Sequence, residues 1–258
     1  MSQPNTTKRV VVKNSLASAT HFVAELFQST ICEAVARNGS CSVALAGGTT
    51  PHALYHLMAF EAAIAELPWG SVDFFFGDER DVPPDHVESN YGMAQRTLLD
   101  NVPVDPARVH PMRADSDDMD EAAREYEQII RRTVQQENNG IPSFDIILLG
   151  LGGDGHTASL FPGTEALKED KRLVVANHVP VHDRTRMTIT YPLINAARNV
   201  IFLVTGRDKA EAVEKLLDQR YDDDKTIPAA RVRPTDGLCV VVLDKAAAAN
   251  TNLKPEED

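Results

Sequence analysis

Residues 144–157 read FDIILLGLGGDGHT, an apolar run that leads into a loop with four glycines. The run from 144 to 150 is almost wholly apolar, which is typical of a parallel strand that is covered on both faces of its sheet. Similar short runs alternate with amphipathic, helix-like stretches along the rest of the chain. The alternation predicts an α/β fold with a doubly wound, mostly parallel sheet, Rossmann-like, with helices on both faces and room for a small accessory lobe.

The predicted elements cover most of the chain. The other predicted strands are 9–14, 41–48, 72–80 with a polar loop at its end, 172–179, 186–194, 199–206 and the first part of 237–250. The predicted helices are 18–39, 49–60, 119–137, 207–218 and a short one that closes 237–250. In the helix at 49–60 we place Thr50 as the N-cap and Pro51 at the first helical position. Residues 1–258 are expected to form a single domain with disordered tails at 1–7 and 251–258.

The composition excludes several classes of partner. The chain has 258 residues, which is enough for one large hydrophobic core. The formal net charge is −12, because 38 acidic residues outnumber 26 basic ones. Such a surface repels nucleic acids and anionic membranes, so we expect neither as a partner. An anionic substrate must therefore be held by a local cluster of donors.

The three cysteines, Cys32, Cys41 and Cys239, are scattered and form no CxxC pair. We interpret them as buried free thiols of a reducing compartment. The N-terminal residues lack the apolar core of a secretory signal, and no apolar stretch approaches the ~20 residues that span a bilayer. The expected location is cytoplasmic. The sequence does not fix the oligomeric state, for which we favour a monomer.

The loop after residue 149 contains GxGxxG at 150–155, the spacing of dinucleotide-binding loops. That function also requires a helix directly after the third glycine and an acidic residue at the end of the next strand. Here Pro162 and Gly163 leave room for about two helical turns at most, and the next predicted strand ends in HVP at 178–180. Both requirements fail, so we expect no nicotinamide or flavin cofactor.

A second glycine loop, Gly47-Gly48-Thr49-Thr50, lies between a predicted strand and a predicted helix. Glycines let an anion approach the backbone, and the unpaired N–H groups of a helix N-terminus favour negative charge. The stretch therefore predicts a phosphate site, and the alternative is a tight turn in which Thr50 only caps the helix. The loop lacks the lysine of a P-loop, which argues against hydrolysis of nucleoside triphosphates.

Polar and glycine-rich segments follow four of the predicted strands at their carboxyl ends. These segments are 47–48, 77–80, 150–156 and 205–207. Ligands of open α/β sheets bind beyond the carboxyl ends of the strands, so the pattern indicates one shared site there.

Five stretches of the sequence resemble the 6-phosphogluconolactonases of the glucosamine/galactosamine-6-phosphate isomerase superfamily. They are LAGGTTPHALY, FFFGDERDVPPDHVESNYGMAQRTLL, FDIILLGLGGDGHTASLFPGT, RMTITYPLINAARNVIFLVTGRDKAEAV and GLCVVVLDKAA, in this order between residues 41 and 247. The resemblance implies the same doubly wound α/β fold. It also implies hydrolysis of a small-molecule phosphosugar lactone, 6-phospho-D-glucono-1,5-lactone, to 6-phosphogluconate in the oxidative pentose phosphate pathway.

Two alternatives stay open at this point. The glucosamine-6-phosphate deaminases share the fold and much of the motif set, but their loop resembles DGHIAFNEP. Leu160 and Phe161 therefore stand where asparagine and glutamate would be, and Arg80 stands where a tyrosine is common. Loss of a carboxylate and gain of a guanidinium favour hydrolysis of a neutral ester. The second alternative is a non-catalytic regulator that binds sugar phosphates, which the presence of His156 and Arg80 disfavours.

Lactone hydrolysis requires an attacking water, a base and donors for the developing oxyanion. We predict His156 as the base, because an imidazole titrates near neutrality and this one follows a strand among glycines and matches the family motif. Asp154 would orient the imidazole or the substrate, or else be a turn aspartate that bonds its own backbone. Arg80 would stabilise the oxyanion, clamp the phosphate, or pair with a neighbouring carboxylate.

The remaining predicted site residues bind the substrate. They are Gly47, Gly48, Thr49, Thr50, Gly152, Arg207, Lys209 and Arg231. The three cations among them would lie near the phosphate, or else be solvated surface charges. Asp78 and Glu79 are expected to shape the loop before Arg80. Histidines and cysteines do not occur at ligand spacing, so we predict no metal site and no cofactor.

Overall fold

In a computed structural model of the protein, the described residues are 8–61, 64, 66–136, 140–221 and 226–256. The predicted tail at 1–7 and the last two residues of the predicted tail at 251–258 lie outside the described residues. The first six residues of that second tail are described. The backbone N–H of Glu256 donates to the carbonyl of Val12 at 2.8 Å, so this segment contacts the first strand.

Nine strands are described, and six of them form one parallel sheet. The strands are β1 (Arg9–Lys13), β2 (Cys41–Leu45), β3 (Val72–Phe76), β4 (Asp78–Arg80), β5 (Ile146–Leu149), β6 (Val174–Val179), β7 (Arg184–Ile189), β8 (Asn199–Val204) and β9 (Leu238–Asp244). The parallel sheet has the order β1-β9-β8-β5-β2-β3. The doubly wound α/β prediction is therefore confirmed.

Helices connect the strands of this sheet. The α-helices are α1 (Leu16–Asn38), α2 (Thr49–Phe60), α3 (Asn90–Ala94), which continues as a π-helix at Gln95–Leu99, α4 (Met119–Thr133), α5 (Tyr191–Ile194) and α6 (Ala210–Leu217). Short 3-10 helices lie at Trp69–Ser71, Pro106–Arg108, Glu165–Lys168, Pro180–His182, Arg207–Lys209, Gln219–Tyr221 and Pro228–Arg231. Helix α1 ends at Gly39 as predicted, because φ of 77° allows its N–H to close on Val35.

Three of the predicted helical segments differ from the structure. Helix α4 ends at Thr133, because Val134 is extended, and residue 137, the last of the predicted helix, lies outside the described residues. Residues 207–209 form a 3-10 turn before α6. The segment after β9 forms turns instead of a helix, where Asp244 accepts from the backbone of Ala247 at 2.7 Å.

Helix α2 covers residues 49–60 as predicted, but its N-cap lies two residues before the predicted one. Gly48, with φ of 104°, is the N-cap, and Thr49 is the first helical residue. Thr50 is therefore not the N-cap, and its hydroxyl is hydrogen-bonded instead to the hydroxyl of Thr205 at 2.8 Å. Pro51 is the third helical residue, where its missing N–H does no harm because first-turn N–H groups have no partner within the helix.

The other three strands form a small antiparallel sheet with the order β4-β7-β6. We expected the Asp78–Arg80 segment to be a polar loop, but it pairs residue for residue with β7. This pairing joins segments that are distant in the sequence, so no local pattern predicts it. The small sheet is the accessory element, and it lies directly after the carboxyl end of β3.

Two of the three cysteines are buried in the core, as predicted. Burial raises the pKa of the Cys239 thiol to about 11, and it also raises the pKa of Cys41. The prediction for Cys32 was wrong, because this thiol is exposed. It follows the buried Ile31 on α1, and one residue turns the helix by about 100°, which carries Cys32 to the solvent side.

The strand order places the site. From β2 the chain goes to β3 on one side, and the next strand of the sheet, β5, lies on the other side of β2. A crevice opens beyond the carboxyl ends of two neighbouring strands where the winding direction reverses. Both glycine loops, at 47–50 and 150–156, begin at this crevice.

Candidate active site

A cavity of about 200 Å³ lies at this crevice. Its walls come from the glycine loop after β2, the loop after β5, the small sheet and the start of the segment before α6. The predicted residues that line it are Gly47, Gly48, Gly152, His156, Arg80 and Lys209. Fold topology therefore brings most of the predicted site residues together.

The loop after β5 is a tight turn. The N–H of Gly152 donates to the carbonyl of His156 at 2.8 Å, and the N–H of Gly155 donates to the carbonyl of Gly152 at 3.0 Å. A Cβ atom on Gly152 would lie 2.1 Å from Nδ1 of His156 and 2.5 Å from Oδ1 of Asp154. Glycine at 152 is therefore required for these two side chains to meet above the turn.

His156 and Asp154 form a close pair. Nδ1 of His156 lies 2.6 Å from Oδ1 of Asp154. Burial raises the pKa of Asp154, but the hydrogen bond and charge of His156 outweigh burial and leave that pKa below its ordinary value. Since Nδ1 is engaged, Nε2 is the ring nitrogen left for chemistry, and the described residues give it no hydrogen-bond partner.

Two arginines face each other in the small sheet. Arg80 on β4 is paired in register with Arg186 on β7, and both line the cavity. Nη1 of Arg80 donates to the carbonyl of Glu88 at 2.8 Å, whereas its buried Nε has no partner in the described part of the chain. Burial lowers the pKa of Arg186, Asp78 opposes this effect and the charge of Arg80 adds to it. Two adjacent guanidinium groups repel each other, so the pair is suited to an anion.

The expected alternative for Arg80 was an ion pair with a neighbouring carboxylate. Asp78, Glu79 and Asp81 make no such pair with it in the described structure. Glu79 is buried and accepts from the backbone N–H groups of Arg80, Asn90 and Tyr91, each at 2.8 Å. Burial raises the pKa of Glu79, and these backbone donors offset part of that effect.

Asp78 is a wall residue of the cavity and is fixed on both sides. Its Oδ2 accepts from the hydroxyl of Ser159 at 2.6 Å, and its Oδ1 accepts from the side-chain amide of Asn90 at 3.1 Å. A Cβ on Gly47 would lie 1.7 Å from Oδ1 of Asn90. Glycine 47 is thus required where the β2 loop passes this network.

The β2 loop leaves its donors unused. Thr49 and Thr50 belong to the first turn of α2, whose N–H groups have no carbonyl partner within the helix. Over the residues that the structure covers, no side chain caps this N-terminus. Gly47 and Gly48 line the cavity, whereas the predicted phosphate-binding residues Thr49 and Thr50 are not part of its lining.

The three predicted cations lie in different surroundings. Lys209 lines the cavity, and its Nζ lies 3.3 Å from Oδ2 of Asp208. Arg207 is exposed and is not part of the lining. Arg231 is not part of it either, because it lies over the ring of Tyr191 at 4.4 Å and donates to the carbonyl of Leu167 at 2.9 Å.

Arg186 is the main site residue that the sequence analysis missed. Its only local signal is that it is the one charged residue of the stretch RMTITYP, residues 186–192. Phe161 was noted only as a substitution, but its buried ring stacks on the imidazole of His156 with the centroids 3.9 Å apart. Both contacts depend on which strands and loops meet, which periodicity does not show.

Nothing in the loop geometry supports a dinucleotide. Along the described chain no α-helix follows Gly155 directly, and the next helical turn is the 3-10 helix Glu165–Lys168. Within the described ranges, no three His, Cys, Asp or Glu side chains are grouped so that they could hold a metal ion. The described helices also include none with the length and apolar character to cross a membrane.

Comparisons with known proteins identify the family of this chain. The sequence model of the family "Glucosamine-6-phosphate isomerases/6-phosphogluconolactonase" matches residues 14–241. A 6-phosphogluconolactonase from Synechocystis sp. is 38% identical over 243 residues, which cover 94% of this chain and 95% of that protein. The structure of a 6-phosphogluconolactonase from Trypanosoma cruzi has a TM-score of 0.84 at 33% identity, with 98% of this chain and 100% of the other covered.

The fold alone does not distinguish the two activities of the family. The structure of a monomeric glucosamine-6-phosphate deaminase has a TM-score of 0.79 but only 21% identity, over 94% of this chain and 100% of the other, which is a likeness of fold. The family match and the identity to individual relatives go further. The chain belongs to the 6-phosphogluconolactonases of the glucosamine-6-phosphate isomerase/6-phosphogluconolactonase family, a family of enzymes.

Proposed function

We propose that this chain hydrolyses 6-phospho-D-glucono-1,5-lactone to 6-phosphogluconate, with water activated by His156. One observation carries the proposal: His156, which is joined to Asp154 at 2.6 Å, lines the same cavity as Arg80, Arg186 and Lys209. A base, its orienting carboxylate and a cluster of cations are the groups that hydrolysis of an anionic ester requires.

The proton transfers follow from the engaged ring nitrogen. The neutral ring keeps its proton on Nδ1, where Asp154 accepts it, and offers the lone pair of Nε2 to water. The water oxygen attacks the lactone carbonyl carbon at C1 while Nε2 takes one of its protons. The tetrahedral oxyanion then collapses, the bond from C1 to the ring oxygen breaks, and the imidazolium returns the proton to that oxygen. The histidine is restored and the product is the open-chain acid.

Asp154 supports the base in two ways. Its carboxylate fixes the tautomer, and its negative charge stabilises the imidazolium that forms during the attack. The lowered pKa of Asp154 keeps this carboxylate ionised throughout the neutral range. The turn that holds both residues also leaves the imidazole partly accessible, with 27% of its side chain exposed.

The other end of the substrate would be held by the β2 loop. Gly47 and Gly48 let a phosphate approach the backbone, and the uncapped first turn of α2 presents N–H groups. Lys209 supplies a cation from the segment before α6, which lines the same cavity. Arg80 and Arg186 would bind the oxyanion or the phosphate. The formal net charge of −12 makes such a local cluster necessary.

Replacement of His156 tests the proposal. In His156→Ala, kcat for fresh 6-phosphogluconolactone is expected to fall by roughly 10²–10⁴, the usual contribution of a positioned base. KM should change little, because the phosphate is held elsewhere. The wild-type rate should fall on the acid side as the ring becomes protonated, and this acid limb should vanish in the variant. Acid release is measured above the spontaneous background.

The exposed His178 offers a matched control, and His178→Ala should behave like the wild type. A His156→Ala enzyme with near-normal kcat and an intact acid limb would make Asp154 the next candidate base. Ammonia release from glucosamine 6-phosphate at a comparable rate would favour the deaminase alternative. Absence of any hydrolysis above background in the wild type would favour the non-catalytic regulator.

A second experiment tests whether the cations of the cavity contribute to hydrolysis. It compares substitutions of two arginines on the same strand, β7. Arg186 lines the cavity, whereas the half-exposed Arg184 donates to the carboxylates of Asp81 and Glu88 at 3.5 and 3.4 Å. Arg186→Gln should lower kcat/KM by roughly 10²–10³, as loss of one preorganised oxyanion donor does. Arg184→Gln should remain close to the wild type, because exposed ion pairs contribute little. Equal effects of the two changes would contradict this use of Arg186.

A further inference from the structure

Phe161 contacts the proposed base without taking part in the reaction. Its ring and the imidazole of His156 are stacked, with centroids 3.9 Å apart and an angle of 23° between the planes. The residue is 2% exposed, so a buried aromatic ring packs against one face of the half-buried imidazole. The guanidinium carbon of Arg186 lies 5.2 Å from the centre of the same ring.

The position of Phe161 is fixed by hydrogen bonds to its backbone carbonyl. The carbonyl of Phe161 accepts both the N–H of Thr164, at 3.2 Å, and the Thr164 hydroxyl, at 2.8 Å. Thr164 in turn accepts from the side-chain amide of the buried Asn177 on β6, at 3.1 Å. The ring is therefore fixed to the small sheet, while the imidazole belongs to the loop after β5.

Two constraints then act on the imidazole. The hydrogen bond from Nδ1 to Asp154 fixes one edge of the ring but allows rotation about the line through these atoms. Contact with a flat partner removes this rotation, because a tilted imidazole would lose the stacked face. Together they fix the direction in which Nε2 points.

We propose that Phe161 is a positioning residue, whose ring holds the His156 imidazole in the orientation that presents Nε2 to water and stabilises the imidazolium formed after proton transfer. The inference rests on the proposed function, since it takes His156 as the base. An aromatic face attracts a cation, so the stacked ring favours the protonated state that forms during the attack. Loss of the Phe161 ring should therefore slow turnover and move the acid limb of the pH–rate profile to lower pH.

Other charged and titratable groups near this histidine also influence the pH at which the acid limb occurs. They are Asp154 at hydrogen-bond distance, Asp78, Arg80, Arg186 and Lys209 on the walls of the cavity, and His182 edge-on to the Phe161 ring. A change from phenylalanine to leucine alters none of these charges. A shift of the limb in that variant would therefore report the loss of the aromatic face.

Phe161→Leu tests the inference, because leucine keeps most of the buried apolar volume and removes the flat ring. We expect kcat to fall roughly ten- to a hundredfold, the scale of a misplaced catalytic group. The acid limb should move down by about half a pH unit, the scale of an exposed cation–π contact. Phe161→Tyr keeps the ring and should restore both quantities toward the wild type.

Phe144→Leu is the matched control. Phe144 is a buried phenylalanine next to the amino end of β5, at the opposite end of that strand from the catalytic loop, and it packs on Phe75 with centroids 5.2 Å apart. This change should lower the free energy of unfolding to a similar extent and leave kcat and the limb unmoved. If Phe161→Leu behaves in the same way, Phe161 only fills the core and the inference is wrong.

A spectroscopic measurement separates this inference from the proposed function. The ring protons of His156 should resonate upfield in the wild type because of the ring current of Phe161, and downfield in Phe161→Leu. Their signals are identified by their loss in His156→Ala. If His156→Ala keeps a near-normal kcat, the proposed role of His156 as the base fails. If His156→Ala is inactive but the signals, kcat and limb are unchanged in Phe161→Leu, only the inference fails.

Discussion

The two glycine loops of the crevice follow neighbouring strands of the same sheet, but they differ in what comes after the glycines. The β2 loop runs into a twelve-residue helix, and it carries no titratable side chain between Gly47 and Thr50. The β5 loop turns back on itself, and places Asp154 and His156 in contact above the turn. One loop offers backbone N–H groups, and the other offers the proposed base and its carboxylate.

The comparison teaches that glycines in such loops serve different physical purposes. Gly48 has φ of 104°, which gives the backbone a direction that other residues rarely adopt. Gly152 has no positive φ, but a Cβ atom there would collide with the side chains of His156 and Asp154. The GxGxxG spacing alone therefore says little about the ligand, and the residues that follow decide it.

The largest expected effect breaks the β5 loop at Gly152. Gly152→Ala should lower kcat by roughly 10² or more, because the new methyl group pushes His156 or Asp154 out of place. The neighbouring Gly153→Ala is the control, since a Cβ there meets only the Asp208 carbonyl at an ordinary 3.8 Å. Steady-state kinetics of the two variants checks the prediction, and equal losses in both would contradict it.

The next effect concerns the β2 loop and phosphate. Gly48→Leu should raise KM for the phosphorylated lactone roughly tenfold or more, the loss of about one charge-assisted hydrogen bond. KM for unphosphorylated glucono-1,5-lactone should change much less. Gly39→Leu is the control, because Gly39 also has a positive φ but lies at the other end of β2. A rise of KM that is equal for both lactones would remove phosphate from this loop.

The smallest expected effect is on the free energy of unfolding, which should depend on pH through the β5 loop but not through the β2 loop. The pKa of Asp154 lies below its ordinary 3.8, so this carboxylate stabilises the fold above that pH, and the contribution is lost as the pH falls through the folded-state pKa. The side chain is 45% exposed, so the amount should stay below about 1 kcal/mol.

Denaturant unfolding of the wild type and Asp154→Asn measures this difference. The loss in the variant should be present near neutral pH and shrink in strong acid. The change that Gly48→Leu makes in the free energy of unfolding should not follow this pH dependence, because the β2 loop holds no titrating group. A deficit of Asp154→Asn that persists unchanged in acid would show that the carboxylate charge is not its cause.

The sequence by itself determined the architecture and the half of the site that depends on local signals. Apolar runs and amphipathic stretches reflect which neighbouring residues are buried together, so they predicted the parallel sheet and its helices. The same reasoning placed Gly39 at the end of α1 and both glycine loops at the carboxyl ends of strands. His156, Asp154 and Arg80 followed from these loops together with the family motif.

Only the tertiary structure decided how distant segments meet. The pairing of β4 with β7 brings Arg186 opposite Arg80, and the folding of the loop after β5 stacks the ring of Phe161 on the imidazole of His156. It also turns Arg231 toward Tyr191 and away from the cavity lining. The physical reason is range: propensity, capping and periodicity act within a few residues, whereas these contacts form only after the whole core has fixed which strands and loops are neighbours.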